Sequence, residues 1–228
     1  MIRIQPLKMC SLLVVAIVAL NNCRIAKAQQ PVFKVQIVAD DMCCKGCAQK
    51  VAAQLYAAPG VTSVQADVPN RLVTVTAKPS PKLTVERLWQ AVERGKGGPS
   101  KLIAPQATYV LFSAESLPPE ERLDQGRYSL KAEVIHNKES AQLIANRLYA
   151  IQGVRNVTVD IDERKLSFQS TDGAVLSPWT IATAAEQVQG RPTAVAGPYG
   201  VLVIERSEGA DPTTAANPSY SQHQGEVR

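Results

Sequence analysis

The sequence predicts an α+β protein made of two ferredoxin-like β-α-β-β-α-β sandwiches in tandem. Three observations carry that prediction. Residues 48 to 111 align with 141 to 204 at a constant offset of 93, without a gap and with about eighteen identities. Within each repeat, alternating apolar runs trade places with stretches of i, i+3, i+4, i+7 apolar spacing. Antiparallel strands with two helices on one face then bury a single apolar layer, as in a two-layer sandwich.

The first repeat opens with a strand over Val32 to Ala39, apolar at Val35 and Ile37. Ala48, Val51, Ala52, Leu55 and Tyr56 follow at helical spacing, and Pro59-Gly60 stops the helix. Val61 to Asp67 and Leu72 to Thr76 alternate as a strand pair about Pro69-Asn70. Val85, Leu88, Trp89 and Val92 make a second helical stripe, Gly95 to Pro99 reads as loop, and Tyr109 to Phe112 as the closing strand. The second repeat follows suit, with a strand over Ser129 to Ile135, a helix over Ser140 to Ile151 and strands over Val154 to Asp160 and Lys165 to Gln169. Ser177 is placed to cap a helix whose first residue is Pro178, where the missing N–H leaves no bond unmade. Val201 to Glu205 is the last strand. Trp89, Trp179, Tyr56 and Tyr149 fall in or beside the helical patterns and are read as core or domain-interface residues.

Residues 1–28 read as a signal peptide. Arg3 and Lys8 precede an apolar run from Cys10 to Leu20, and Ala26-Lys27-Ala28 supplies an A-x-A cleavage site. The run is shorter than the roughly 18 residues of a spanning helix, and Asn22 before Cys23 is a poor lipobox residue. The expected address is periplasmic or extracellular, with no membrane span after leader removal. Four basic residues and no acid leave with the leader, so 21 of 25 Lys and Arg remain against 20 Asp and Glu. A net charge near zero gives no footprint for nucleic acid. The boundaries expected are 31–112 for the first domain, 113–126 for a polar, proline-containing linker, 127–206 for the second domain and 207–228 for a disordered tail rich in Ala, Pro, Thr, Ser and Gln.

The chemistry concentrates in Met42-Cys43-Cys44-Lys45-Gly46-Cys47, which holds all three cysteines that outlast the leader. It lies where the strand pattern passes into the helical one. Thiolates favour Cu(I), Hg(II) and Zn(II) over Mg(II) or Ca(II). A closed zinc site would need two further ligands, and the first repeat has no histidine and no fourth cysteine. Cys47 is expected to open the helix, where unpaired N–H groups and the helix dipole lower a thiol pKa. Lys45 and Lys96 are candidates to offset the charge of a metal bis-thiolate. No nucleophile–base arrangement suggests an enzyme. Gly95-Lys96-Gly97-Gly98 lacks phosphate-loop spacing and is read as loop punctuation.

The M-x-C-x-x-C spacing, with Cys44 and Cys47 as the pair, resembles the heavy-metal-associated domain of copper chaperones, periplasmic mercury-binding proteins and metal-pump N-termini. The resemblance implies a ferredoxin-like fold, metal held by Cys44 and Cys47, and Met42 packing beneath the loop. It also places Lys96 where eukaryotic-type copper chaperones carry a lysine beside the metal. Cys43 departs from the family pattern and is a candidate third ligand or disulfide partner. The implied cargo is Cu(I) first, with Hg(II) or Zn(II) as alternatives. The implied role is sequestration, or transfer to a metal transporter or other metal-accepting protein. At the offset of 93, Cys43, Cys44, Cys47 and Lys96 become His136, Asn137, Ser140 and Gln189, so the second domain reads as a degenerate copy without the thiolate site. The competing readings are a dithiol redox protein using the same C-x-x-C and a protein-interaction scaffold.

Overall fold

A computed structural model describes residues 32–171 and 174–207. The leader and nearly all of the tail lie outside the described residues. In chain order the elements are β1 (Phe33–Ala39), α1 (Lys45–Tyr56), β2 (Val61–Asp67), β3 (Leu72–Ala77), α2 (Val85–Arg94), β4 (Pro99–Ile103) and β5 (Ala107–Ser113). They continue with β6 (Arg127–Ala132), α3 (Lys138–Tyr149), β7 (Val154–Asp160), β8 (Lys165–Ser170), α4 (Pro178–Glu186), β9 (Pro192–Gly197) and β10 (Gly200–Arg206). The strands form one ten-stranded sheet in the order β2-β3-β1-β4-β5-β10-β9-β6-β8-β7. Each half alone contributes the ferredoxin-like order, β2-β3-β1-β4 and β7-β8-β6-β9.

Two expectations change. Tyr109 to Phe112 and Val201 to Glu205 do not close the two repeats; they belong to β5 and β10, extra strands that follow the fourth. The fourth strands, β4 and β9, each begin at a proline. Proline reads as a strand breaker, yet at a first position it leaves the ladder intact. The second change concerns the separation of the halves. β5 and β10 pair antiparallel over seven registers, from Gly200↔Ser113 to Arg206↔Ala107, so the sheet runs unbroken from one repeat into the other. The expected linker leads from β5 to β6 through two single 3-10 turns, Ala114–Ser116 and Pro119–Glu121. Arg122 tethers it by donating to the Leu117 and Glu115 carbonyls at 2.9 and 3.1 Å.

The core follows from the alternation. On β3, Val73, Val75 and Ala77 are buried while Leu72, Thr74 and Thr76 are half-buried. The helices cover the buried face with Val51 and Leu55 of α1, Leu88, Trp89 and Val92 of α2, and their counterparts on α3 and α4. Residues of both halves join one apolar cluster. At the junction Trp179 packs against Trp89 (ring centroids 5.2 Å) and Tyr109 (5.5 Å). Ser177 precedes α4 but makes no side-chain cap; its hydroxyl is bonded instead to Glu86 of α2 at 3.3 Å.

Tyr56 and Tyr149 correct a further expectation, because they are about half exposed rather than packed in the core. β2 and β7 are the outermost strands. The Val64 N–H donates to the Tyr56 hydroxyl at 3.1 Å, and the Val157 N–H donates to Tyr149 at the same distance. Each tyrosine thus satisfies an edge-strand donor that no further strand meets. Other features recur 93 residues apart: positive φ at Gly60 and Gly153, at Arg71 and Arg164, and at Lys96 and Gln189.

Candidate metal centre

The site begins with the loop between β1 and α1. Asp40 and Asp41 donate their backbone N–H groups to the Gly98 and Gly97 carbonyls, each at 2.9 Å. The Met42 N–H then turns back to Ala39 at 3.0 Å, and Cys43 to Asp41 at 3.0 Å. Met42 is wholly buried in the apolar cluster. Its burial anchors the loop from below and leaves Cys43 and Cys44 exposed, with Cys47 partly covered.

Helix α1 starts two residues earlier than the sequence suggests, at Lys45. Cys44 is therefore the N-cap, in extended conformation, and its sulfur accepts the Cys47 N–H at 3.3 Å. A thiol here does the work usually done by Ser, Thr, Asp or Asn. The equivalent Asn137 caps α3 with nearly the same backbone angles, its Oδ1 accepting the Ser140 N–H at 2.8 Å. Replacing the thiol by Asn thus removes a soft ligand and keeps the cap.

The three sulfurs gather tightly. Cys44 Sγ and Cys47 Sγ are 2.9 Å apart, Cys43 Sγ and Cys47 Sγ 3.8 Å, and all three lie within 4.8 Å of one another. All three are free thiols. Their proton affinities diverge. Hydrogen bonding with the Cys47 thiol, joined by donation from the Cys47 backbone N–H, holds Cys44 below the usual thiol pKa. Hydrogen bonding with the Cys44 thiol, and then with Cys43, holds Cys47 above it. The helix terminus favours the capping thiolate, Cys44, in place of the expected Cys47. Three soft donors at one helix end, two exposed and one partly covered, can take a soft ion and still be reached by incoming thiolates.

Lys45 is the first residue of α1 and is exposed beside the pair. Lys96 is exposed with φ of 57°, on the loop whose Gly97 and Gly98 carbonyls hold Asp40 and Asp41. That loop is more than the punctuation read from the sequence. A Cβ on Gly95 would lie 2.6 Å from Val51 Cα, and one on Gly97 would lie 2.7 Å from Val92 Cγ1 and 2.9 Å from Val51 Cγ2. The glycines let the end of α2 approach α1, which carries Cys47. The dense G-K-G-G run was the signal for this. In the second half His136 and Asn137 are exposed and Ser140 is partly covered, while Ile135 is buried as Met42 is.

Comparison with known proteins bears on the same segment. Residues 37–98 match the heavy-metal-associated domain. That stretch of the chain holds the thiol loop, α1, α2 and Lys96. Among solved structures, oxidized MerP from Ralstonia metallidurans CH34 is similar, with 24% identity over 33% of this chain and 100% of that one (TM-score 0.29). The N-terminal soluble domains of Bacillus subtilis CopA match at 14% identity over 80% of this chain and 98% of theirs (TM-score 0.28). The N-terminal domain of ZntA in the apo form matches at 17% identity over 39% and 100% (TM-score 0.26). No curated protein matches the chain. Among the described residues, no helix is long and apolar enough to cross a membrane.

Proposed function

We propose that the protein is an exported, non-enzymatic binder of a soft metal ion of the Cu(I) or Hg(II) type, acting in sequestration or in transfer to a metal transporter or other accepting protein. The observation that carries this reading is the meeting of three free thiols, two of them exposed, at the N-cap of α1 inside the segment that matches the heavy-metal-associated domain. Cys44 and Cys47 supply the core ligand pair, and Cys43, its sulfur 3.8 Å from that of Cys47, is the candidate third ligand. Lys45 and Lys96 offset its charge, and Met42 supports the loop. The second half is a degenerate copy that keeps the fold, because Asn137 retains the helix cap without a sulfur. Its role is structural or docking. Reduced protein is expected to bind one equivalent of Cu(I) or Hg(II), and joint replacement of Cys44 and Cys47 by Ser to abolish binding. Undiminished binding in that variant refutes the assignment.

A dithiol redox role draws on one specific observation, the 2.9 Å sulfur pair with opposed proton affinities. A fully oxidised, metal-free pair in protein from its native compartment, with reductase-coupled turnover, would favour that role.

A further inference from the structure

The third thiol sets this loop apart from a two-sulfur site. We propose that Cys43, Cys44 and Cys47 form a single three-thiolate centre whose cargo is a soft divalent ion in preference to Cu(I). The inference rests on the metal-binding reading above and specifies its ligand number and ion class.

Geometry comes first. Taking the zinc–sulfur length of about 2.3 Å as the guide, a planar three-coordinate ion spaces its sulfurs about 4.0 Å apart, and a linear two-coordinate ion about 4.6 Å. The Cys43–Cys47 separation of 3.8 Å is already at the trigonal value, and no pair of the three exceeds 4.8 Å. The 2.9 Å Cys44–Cys47 pair must open, by about 1 Å for a trigonal ion against about 1.7 Å for a linear one. An ion between Cys44 and Cys47 would also find the exposed Cys43 sulfur within reach.

Charge selects among soft ions. Uptake replaces three S–H bonds by three metal–sulfur bonds, releases up to three protons and changes no oxidation state. A divalent ion with three thiolates carries a net charge of −1, while Cu(I) with three carries −2. The compensation at hand is partial: the N-terminus of α1, equivalent to roughly half a positive charge, and the exposed Lys45 and Lys96 are set against the exposed Asp40 and Asp41 of the adjoining loop. The −1 complex is the one this environment accommodates. The second half holds His136, Asn137 and Ser140 at the same places and offers no sulfur.

The test uses the reduced full-length mature chain, its Cys43→Ser variant and its Cys44→Ser/Cys47→Ser variant. Each is loaded with one equivalent of Hg(II), and the number of sulfur ligands is read by X-ray absorption. Pb(II) affinity is measured by thiolate-to-metal charge-transfer absorption, in competition with Cu(I). Three sulfurs are expected in the parent protein and two in Cys43→Ser, with Pb(II) affinity at least tenfold weaker in that variant while Hg(II) binding stays stoichiometric. Two sulfurs in the parent protein, or unchanged Pb(II) affinity in Cys43→Ser, overturns the three-thiolate centre and leaves the two-thiolate reading standing. Stoichiometric Hg(II) uptake by Cys44→Ser/Cys47→Ser instead overturns the metal-site reading itself.

Discussion

Replacing Met42 by leucine and by alanine separates a packing role from a ligand role. Met42 is wholly buried in the apolar cluster, one residue from exposed Cys43. Met42→Leu conserves volume and apolar character, so it should cost less than about 1.5 kcal/mol. Met42→Ala empties a site with no solvent access and should cost about 2–5 kcal/mol. In a unit of this size, a loss near 3 kcal/mol lowers the midpoint of thermal unfolding by about 6–12 °C. Thermal and urea unfolding of the reduced, metal-free proteins would measure both. Metal affinity should survive in Met42→Leu and weaken in Met42→Ala, because the alanine variant loosens the loop that positions the three sulfurs. The reasoning fails if Met42→Leu is as stable as the parent but binds Cu(I) or Hg(II) at least tenfold more weakly. The thioether would then be a ligand.

Three further outcomes are expected. Gly95→Ala should lose about 1–3 kcal/mol, since its Cβ would sit 2.6 Å from Val51 Cα and drive α1 and α2 apart; urea unfolding checks it. Trp89→Ala should cost about 3–5 kcal/mol, and because β5 and β10 still join the halves in one sheet, both should still unfold in one transition by calorimetry. Iodoacetamide should modify Cys44 before Cys47 at pH values below the usual thiol pKa, as Cys44 is the group whose pKa is lowered and the thiolate is the nucleophile; peptide mass mapping reads the order, and equal rates would contradict the hydrogen-bond assignment.

What was legible in the sequence is what depends on near neighbours along the chain. The i, i+3, i+4 spacing of Val51 and Leu55, and of Leu88, Trp89 and Val92, marks helix faces, and these residues are buried on α1 and α2. The alternation from Val61 to Asp67 marks β2 to the residue. The thiol cluster was legible too, since six consecutive residues cannot stray far from one another.

The rest required knowing what lies opposite. Pro99 and Pro192 argue against strands locally, yet each opens one because its ladder partner asks nothing of the missing N–H. Pairing of β5 with β10 joins residues roughly 90 apart in sequence, and no local pattern encodes that choice of partner. Gly95 reads as a turn residue until Val51 is found against it. Cys44 and Cys47 are chemically alike as letters; only the point where α1 begins makes one the cap that accepts an N–H and the other the donor within the helix. The amino-acid order by itself determined the repeat, the helix faces and the presence of three soft donors. Tertiary structure decided that the halves share one sheet, and which of the two thiols has its pKa lowered, because both depend on contacts made across space.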